Sequence, residues 1–263
     1  MNLALRRRGE LVFLEASGSN EVLLCVSTRG GGVSHGPFAS LNLGLHVQDC
    51  AKSVVDNRRR LAQALGFPLA RMVCAQQVHG TKIAIVGEDE AGRGAFSIDD
   101  ALCGVDGMLT MERNLALTCF YADCVPLLYY CQDPAVCGVA HGGWRGTLGG
   151  ISSLMIQQMR RVFGCRVEAI TVVIGPAIGP CCYEVGEEVR SLFAERFCPT
   201  GGRTLDLVEI NRRILIDAGL PEGNIIVSNF CTKCNEQLFY SYRRAANSGL
   251  PSCGRHGAIA MLL

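Results

Sequence analysis

Short apolar runs alternate along this chain with polar, glycine-rich breaks, and two periodicities can be read from them. Residues 21–27, 82–86, 115–120, 127–131, 136–140 and 169–174 are β-branched or apolar stretches bounded by Gly, Pro, Asn or Asp. That pattern predicts strands, and residues 257–263 predict a last one. Three other segments repeat apolar residues at helical spacing. Ser53 caps a predicted helix in which Val54, Leu61, Ala62 and Leu65 share a face and Gly66 provides the stop. Ile151, Met155, Met159, Val162 and Phe163 form a second stripe. Residues 207–218 form a third, ended by Gly219 and Pro221. There is neither a regular βαβ alternation nor a Gly-rich dinucleotide fingerprint. The expectation is an α/β (α+β) fold: one layered domain over residues 1–263, with mixed β-sheets flanked by helices.

Composition narrows the function classes. The 263 residues are 49% hydrophobic and 19% charged, which fits a globular chain with a sizeable core and excludes disorder. Twenty-five basic residues oppose twenty-four acidic ones. Such a balance gives no electrostatic reason to expect nucleic acid or an anionic membrane as partner. The expected partners are small molecules, and nothing in the sequence fixes an oligomeric state. The fifteen cysteines are odd in number and scattered through apparent core strands, unlike a short secreted disulfide scaffold. At the N-terminus, Arg6, Arg7 and Arg8 follow a very short apolar run, the wrong order for a signal peptide. The chain reads as cytoplasmic.

Donor chemistry gives the sharpest signal. His79 sits in Gln77-Val78-His79-Gly80, Cys124 in Ala122-Asp123-Cys124-Val125-Pro126, and His141 in Ala140-His141-Gly142-Gly143-Trp144-Arg145-Gly146. Two imidazoles and a thiolate suit zinc, with copper as the alternative, and three protein ligands leave a fourth position open for catalysis. The reading requires the three to meet in space. Arg145, in the glycine-rich turn, is a candidate for anion binding because guanidinium matches phosphate bidentately. Asp106 and Asp123 are candidates to orient ligands, or else to serve turns. The loop Gly175-Pro176-Ala177-Ile178-Gly179-Pro180-Cys181-Cys182-Tyr183 reads as a pocket wall or a connector. Cys231-Thr232-Lys233-Cys234 has C-x-x-C spacing, but no second pair completes a tetrahedral site. Adjacent Cys181 and Cys182 offer no unstrained disulfide.

Eight motifs in order carry a resemblance: Ser27-Thr28-Arg29-Gly30-Gly31-Gly32-Val33-Ser34, Ser40-Leu41-Asn42-Leu43-Gly44, Asp56-Asn57-Arg58, the His79, Cys124 and His141 segments, Cys182-Tyr183-Glu184-Val185 and Phe239-Tyr240-Ser241-Tyr242-Arg243-Arg244. Over residues 27–255 the chain resembles the laccase-domain (YfiH-like) proteins, once labelled polyphenol oxidases. The resemblance implies a cysteine-hydrolase-like layered fold and a zinc held by His79, Cys124 and His141, which would also be the catalytic residues. It implies purine nucleoside phosphorylase activity on adenosine, inosine and methylthioadenosine, together with adenosine deamination. Arg29, Asn42, Arg145 and Tyr183 would line the substrate site. Gly142 stands where the family pattern usually has alanine, and Cys253-Gly254-Arg255 where it usually has T-G-R.

Two further classes remain beside the purine nucleoside enzyme. A Cys-His thiol hydrolase or amidase, such as an editor of peptidoglycan precursors, would use Cys124 as nucleophile and His141 or His79 as base. A metal-stabilised binding module would be non-catalytic, but structural zinc normally takes four protein ligands. A multicopper oxidase is disfavoured, because copper centres rely on many imidazoles and this chain has five His with no H-x-H pair.

Overall fold

The fold follows from central strands that are apolar on both faces. It is described here from a computed structural model covering residues 1–197 and 202–263. The strands are β1 (Asn2–Arg8), β2 (Leu11–Ser17), β3 (Val22–Ser27), β4 (Met72–Gln76), β5 (Ile83–Ile85), β6 (Leu102–Cys103), β7 (Gly107–Thr110), β8 (Ala116–Tyr121), β9 (Val125–Cys131), β10 (Val136–Gly142), β11 (Ile170–Ile174), β12 (Ile225–Val227) and β13 (His256–Leu262). The helices are α1 (Ala51–Leu65), α2 (Trp144–Leu148), α3 (Ile151–Phe163), α4 (Glu187–Phe197), α5 (Leu207–Asp217) and α6 (Tyr242–Asn247).

Two mixed sheets result, ordered β1-β2-β3-β13-β8-β4-β6 and β12-β11-β9-β10-β7-β5. The period of two along each strand distributes its side chains between layers. In β13, Ala258, Ala260 and Leu262 face one core, which they share with Leu128, Tyr130 and Val139 of the other sheet. Ile259 and Met261 face the opposite way, toward Leu61, Ala62 and Leu65 of α1. In β9, Leu127 and Tyr129 turn outward to Met155, Ile156 and Met159 of α3 and to Ile210 and Ile214 of α5. The architecture is therefore layered, helix on sheet on sheet on helices.

All seven predicted strands form, with ends shifted by a few residues at most. The three predicted helices form as well. Helix α1 starts before Ser53, at Ala51 with Cys50 as N-cap, and Gly66 ends it in the left-handed region at φ 86°. Periodicity did not reveal the β1–β2 hairpin or α2, α4 and α6. Among the described residues no helix is long and apolar enough to cross a membrane.

Candidate metal and catalytic site

The site lies where the two sheets approach each other at their strand ends. His79 follows β4 of the first sheet. Cys124 occupies the turn that carries the chain from β8 in the first sheet to β9 in the second. His141 is near the end of β10 in the second sheet. The donor atoms of the three residues all lie within 4.8 Å of one another. The two imidazoles meet edge to face with centroids 4.7 Å apart. His141 is 3% exposed, Cys124 is half-buried and His79 is open to solvent. One side of the cluster is thus reachable by a small molecule.

Local sequence explains each placement. Gln77 donates to the Phe120 carbonyl at 2.9 Å and accepts from the Phe120 amide at 2.7 Å, which ties the His79 turn to β8. His79 itself takes φ 62° and Asp123 φ 92°, left-handed conformations that non-glycine residues adopt where the surroundings enforce them. Gly143 is required by contact rather than by conformation. A Cβ there would stand 2.9 Å from the His79 ring and 3.3 Å from the Cys124 sulfur.

One buried carboxylate orients the donors, and a second anchors the turn that carries Cys124. Asp106 Oδ1 pairs with His141 Nδ1 at 2.9 Å, and the carboxylate accepts the backbone N–H groups of Val78, His79 and Gly80. Burial opposes its charge, but the hydrogen bonds from His141 and from the Gly80 and Val78 amides prevail and hold the carboxyl below its ordinary range. Asp123 accepts from Thr232 Oγ1 at 2.6 Å, Ser241 Oγ at 3.0 Å and the Arg243 amide at 2.7 Å. Of the two roles the sequence left open, Asp106 takes both, orienting His141 while closing the His79 turn, whereas Asp123 serves the turn, tying it to the Thr232 and Arg243 segments.

Electrostatics fits a thiolate between imidazoles. Burial pushes the Cys124 thiol up, but His141 and His79 outweigh it and bring it down to about 6. Burial likewise pushes His141 down, and Cys124 with Asp106 raises it to about 9. Desolvation first, then the negative charge of Cys124, lifts the Tyr183 phenol to about 12 against the pull of Arg243 and Arg145. Tyr183 therefore stays a neutral hydroxyl near the cluster.

The predicted binding residues divide. Arg145 is exposed and stacks on the Trp144 indole at 4.1 Å. Among the described residues it enters no ion pair. Arg243, which the sequence reading did not single out, lies over Tyr183 at 5.3 Å and donates to the Glu184 carbonyl. Arg29 and Asn42 are not brought to the cluster as ligand contacts. The Arg29 guanidinium donates to the Ala39 and Glu236 carbonyls and lies over Tyr240 at 5.0 Å. It borders a separate surface hollow of 470 Å³ with Ser40 and Gln237. Asn42 is fully buried, its amide bonded to Asp49, Gly44 and the Arg255 N–H. Both side chains hold loops together through these hydrogen bonds. The expectation that no second pair completes Cys231-x-x-Cys234 is also corrected. Cys181 and Cys182 bring their sulfurs within 4.8 Å of that pair, across a sequence gap that spacing alone could not bridge.

A layered two-sheet fold carrying a His-Cys-His cluster defines a distinct class. The chain belongs to the family of multi-copper polyphenol oxidoreductase laccases, whose pattern matches residues 23–263. It is 45% identical to the purine nucleoside phosphorylase YlmD of Geobacillus stearothermophilus, over 83% of this chain and 84% of the relative. It is 35% identical to an adenosine deaminase from an unknown prokaryotic organism, over 85% of this chain and 89% of that one. The crystal structure of the Bacillus licheniformis hypothetical protein YfiH superposes with a TM-score of 0.91 at 37% identity, covering 98% of this chain and 99% of that one.

Proposed function

We propose that the chain is a cytoplasmic, zinc-dependent purine nucleoside enzyme acting as one domain over residues 1–263. It would cleave adenosine, inosine and methylthioadenosine with phosphate, and would also deaminate adenosine. The observation that carries this reading is the convergence of His79, Cys124 and His141 with one open side. Relatives named for both activities support the substrate class.

The donor set fits zinc: two imidazoles and a thiol already biased toward its thiolate. Zinc held there would supply Lewis acidity and an activated water. A coupled copper centre needs many imidazoles, and the two ligand clusters among the described residues contain two histidines between them.

The chain's own residues do the positioning. In phosphorolysis a phosphate oxygen bonds to the anomeric carbon as the glycosidic C–N bond breaks, and the departing purine takes up a proton. Arg145, preorganised on Trp144, would hold the phosphate oxygens in its planar fork. Tyr183 keeps its proton and can donate a hydrogen bond to purine or ribose. In deamination water adds at C6 and ammonia leaves. Asp106 fixes the His141 ring for both reactions.

The test is an assay of inosine and adenosine turnover, with and without phosphate, before and after chelation. Chelation should abolish turnover and zinc should restore it. A second reading rests on the low-lying Cys124 thiol beside His141, the arrangement of a thiol nucleophile and its base. Turnover that survives metal removal and is lost on alkylation of Cys124 would establish that reading and overturn the zinc mechanism.

A further inference from the structure

Away from the His-Cys-His cluster, two loops bring four cysteines together. Cys181 and Cys182 lie in the loop after β11, and Cys231 and Cys234 in the turn after β12. Residues more than fifty positions apart meet: Cys182 Sγ is 3.4 Å and Cys181 Sγ 3.7 Å from Cys234 Sγ. All four sulfurs lie within 4.8 Å of one another, and all four are free thiols. A disulfide needs about 2.05 Å between sulfurs, whereas a tetrahedral zinc with bonds of about 2.3 Å spaces its sulfurs by roughly 3.8 Å. The observed separations fall near the second value.

The backbone around the sulfurs is built for this arrangement. The Gly179 N–H points at Cys231 Sγ, 3.2 Å away. The Gly179 carbonyl accepts from both Cys182 and Tyr183, closing one tight turn. The Cys231 carbonyl accepts from the Asn235 backbone and side chain, closing the other. A bridge between Ala177 and Cys231 locks the two turns side by side, and Thr232 donates back to the Ala177 carbonyl. Arg244 donates to the Thr232 and Lys233 carbonyls, which places a cation beside the turn where a tetrathiolate would leave excess negative charge.

We propose that Cys181, Cys182, Cys231 and Cys234 form a structural tetrathiolate site for a soft divalent cation of the zinc type. Four protein ligands close the coordination sphere, which separates this site from a three-ligand centre that can accept substrate. Its role is to staple two loops that reach the catalytic cluster. Thr232, inside the C-x-x-C turn, donates to Asp123, the residue before Cys124. Ile178 donates to the Asp123 carbonyl, and Tyr183 follows Cys182 directly. The proposal does not depend on the function assigned above.

Metal content of protein purified under reducing conditions tests it, with cobalt(II) substitution as the spectroscopic readout. The wild-type chain should bind two metal ions. The double variant His79→Ala/His141→Ala should keep one, and its cobalt form should show the strong thiolate-to-cobalt charge-transfer absorption of a tetrathiolate. Cys234→Ser, at an exposed position, should lose one metal ion, and its melting temperature should become insensitive to zinc at this site. Should Cys234→Ser misfold, the cobalt spectrum of the double histidine variant decides alone. A double histidine variant without bound metal, or with a cobalt spectrum lacking thiolate charge transfer, would overturn the proposal. So would a Cys234→Ser protein with unchanged metal content. Loss of the His79 metal alone would count against the zinc mechanism and leave this site standing.

Discussion

The carboxylate of Asp106 takes the Nδ1 of His141 and three consecutive backbone N–H groups around His79, so one buried charge orients two of the three donors. Such outer partners fix tautomer and ring orientation, and their loss typically weakens metal affinity about 10–100-fold. Asp106→Asn keeps the volume and one acceptor oxygen but removes the charge. We expect zinc affinity, measured by competition with a chromophoric chelator, to fall within that range while Cys124 remains alkylatable in the metal-free protein. Unchanged affinity would mean that Asp106 serves the turn alone. At this scale His79, Cys124 and His141 were legible, because donor chemistry inside glycine-flanked turns is a local signal. Arg29 and Asn42 show what local signals leave open. A polar side chain beside glycines looks the same whether it faces a ligand or a neighbouring carbonyl. The pairing of Cys181 and Cys182 with Cys231 and Cys234 was not legible for the converse reason: it exists only across two loops.

Strand burial explains which elements the sequence revealed. β9, β10 and β13 are buried along their whole length, so they read as continuous apolar runs. β1 is an edge strand, mostly exposed and ending in three arginines. Charge of that kind protects an edge from pairing with other chains, and it also hides the strand from a hydrophobicity pattern. The short α6 is set by a cap instead of a stripe: Ser241 accepts from the Arg244 amide and donates to Asp123. These positions imply opposite sensitivities. Ala260 in β13 pairs with Leu24 on one side and Leu117 on the other. Ala260→Pro removes a ladder N–H and leaves a buried acceptor unpaired, which alone costs about 1–3 kcal/mol, and should yield little soluble protein. Removing residues 1–8 takes away one edge strand, and each kcal/mol so lost should lower the melting temperature by only about 2–4 °C. Circular-dichroism melts compare the two, and a truncation as damaging as the proline would refute this ranking.

The two sheets enclose one core, and a histidine is buried at its margin. His256 opens β13 fully buried, near-parallel to Tyr121 and close to Phe239, with neither ring nitrogen bonded among the described residues. Desolvation, aided by Arg255, pushes it down to about 3 from an ordinary 6.5. The folded protein thus holds His256 neutral over a range in which the unfolded chain protonates it. Its contribution to stability is present above about pH 6.5 and lost as pH falls toward 3, by up to about 1.4 kcal/mol per pH unit. His46 acts with the same sign: desolvation, then Arg255 and Arg58, bring it down to about 4. It is open to solvent, so water screens its share. The Cys124–His141 pair contributes little slope in the metal-free protein. Folded, between about 6 and about 9, it carries one proton as imidazolium and thiolate. Unfolded, it carries one proton as thiol and neutral imidazole over most of that window. Asp106, held below its ordinary 3.8, acts only at lower pH. Urea midpoints of the metal-free protein should therefore fall steadily from pH 7 to pH 4. A His256→Leu variant, whatever its stability at pH 7, should show a shallower decline. Parallel curves for the two proteins would place the acid sensitivity elsewhere in the molecule.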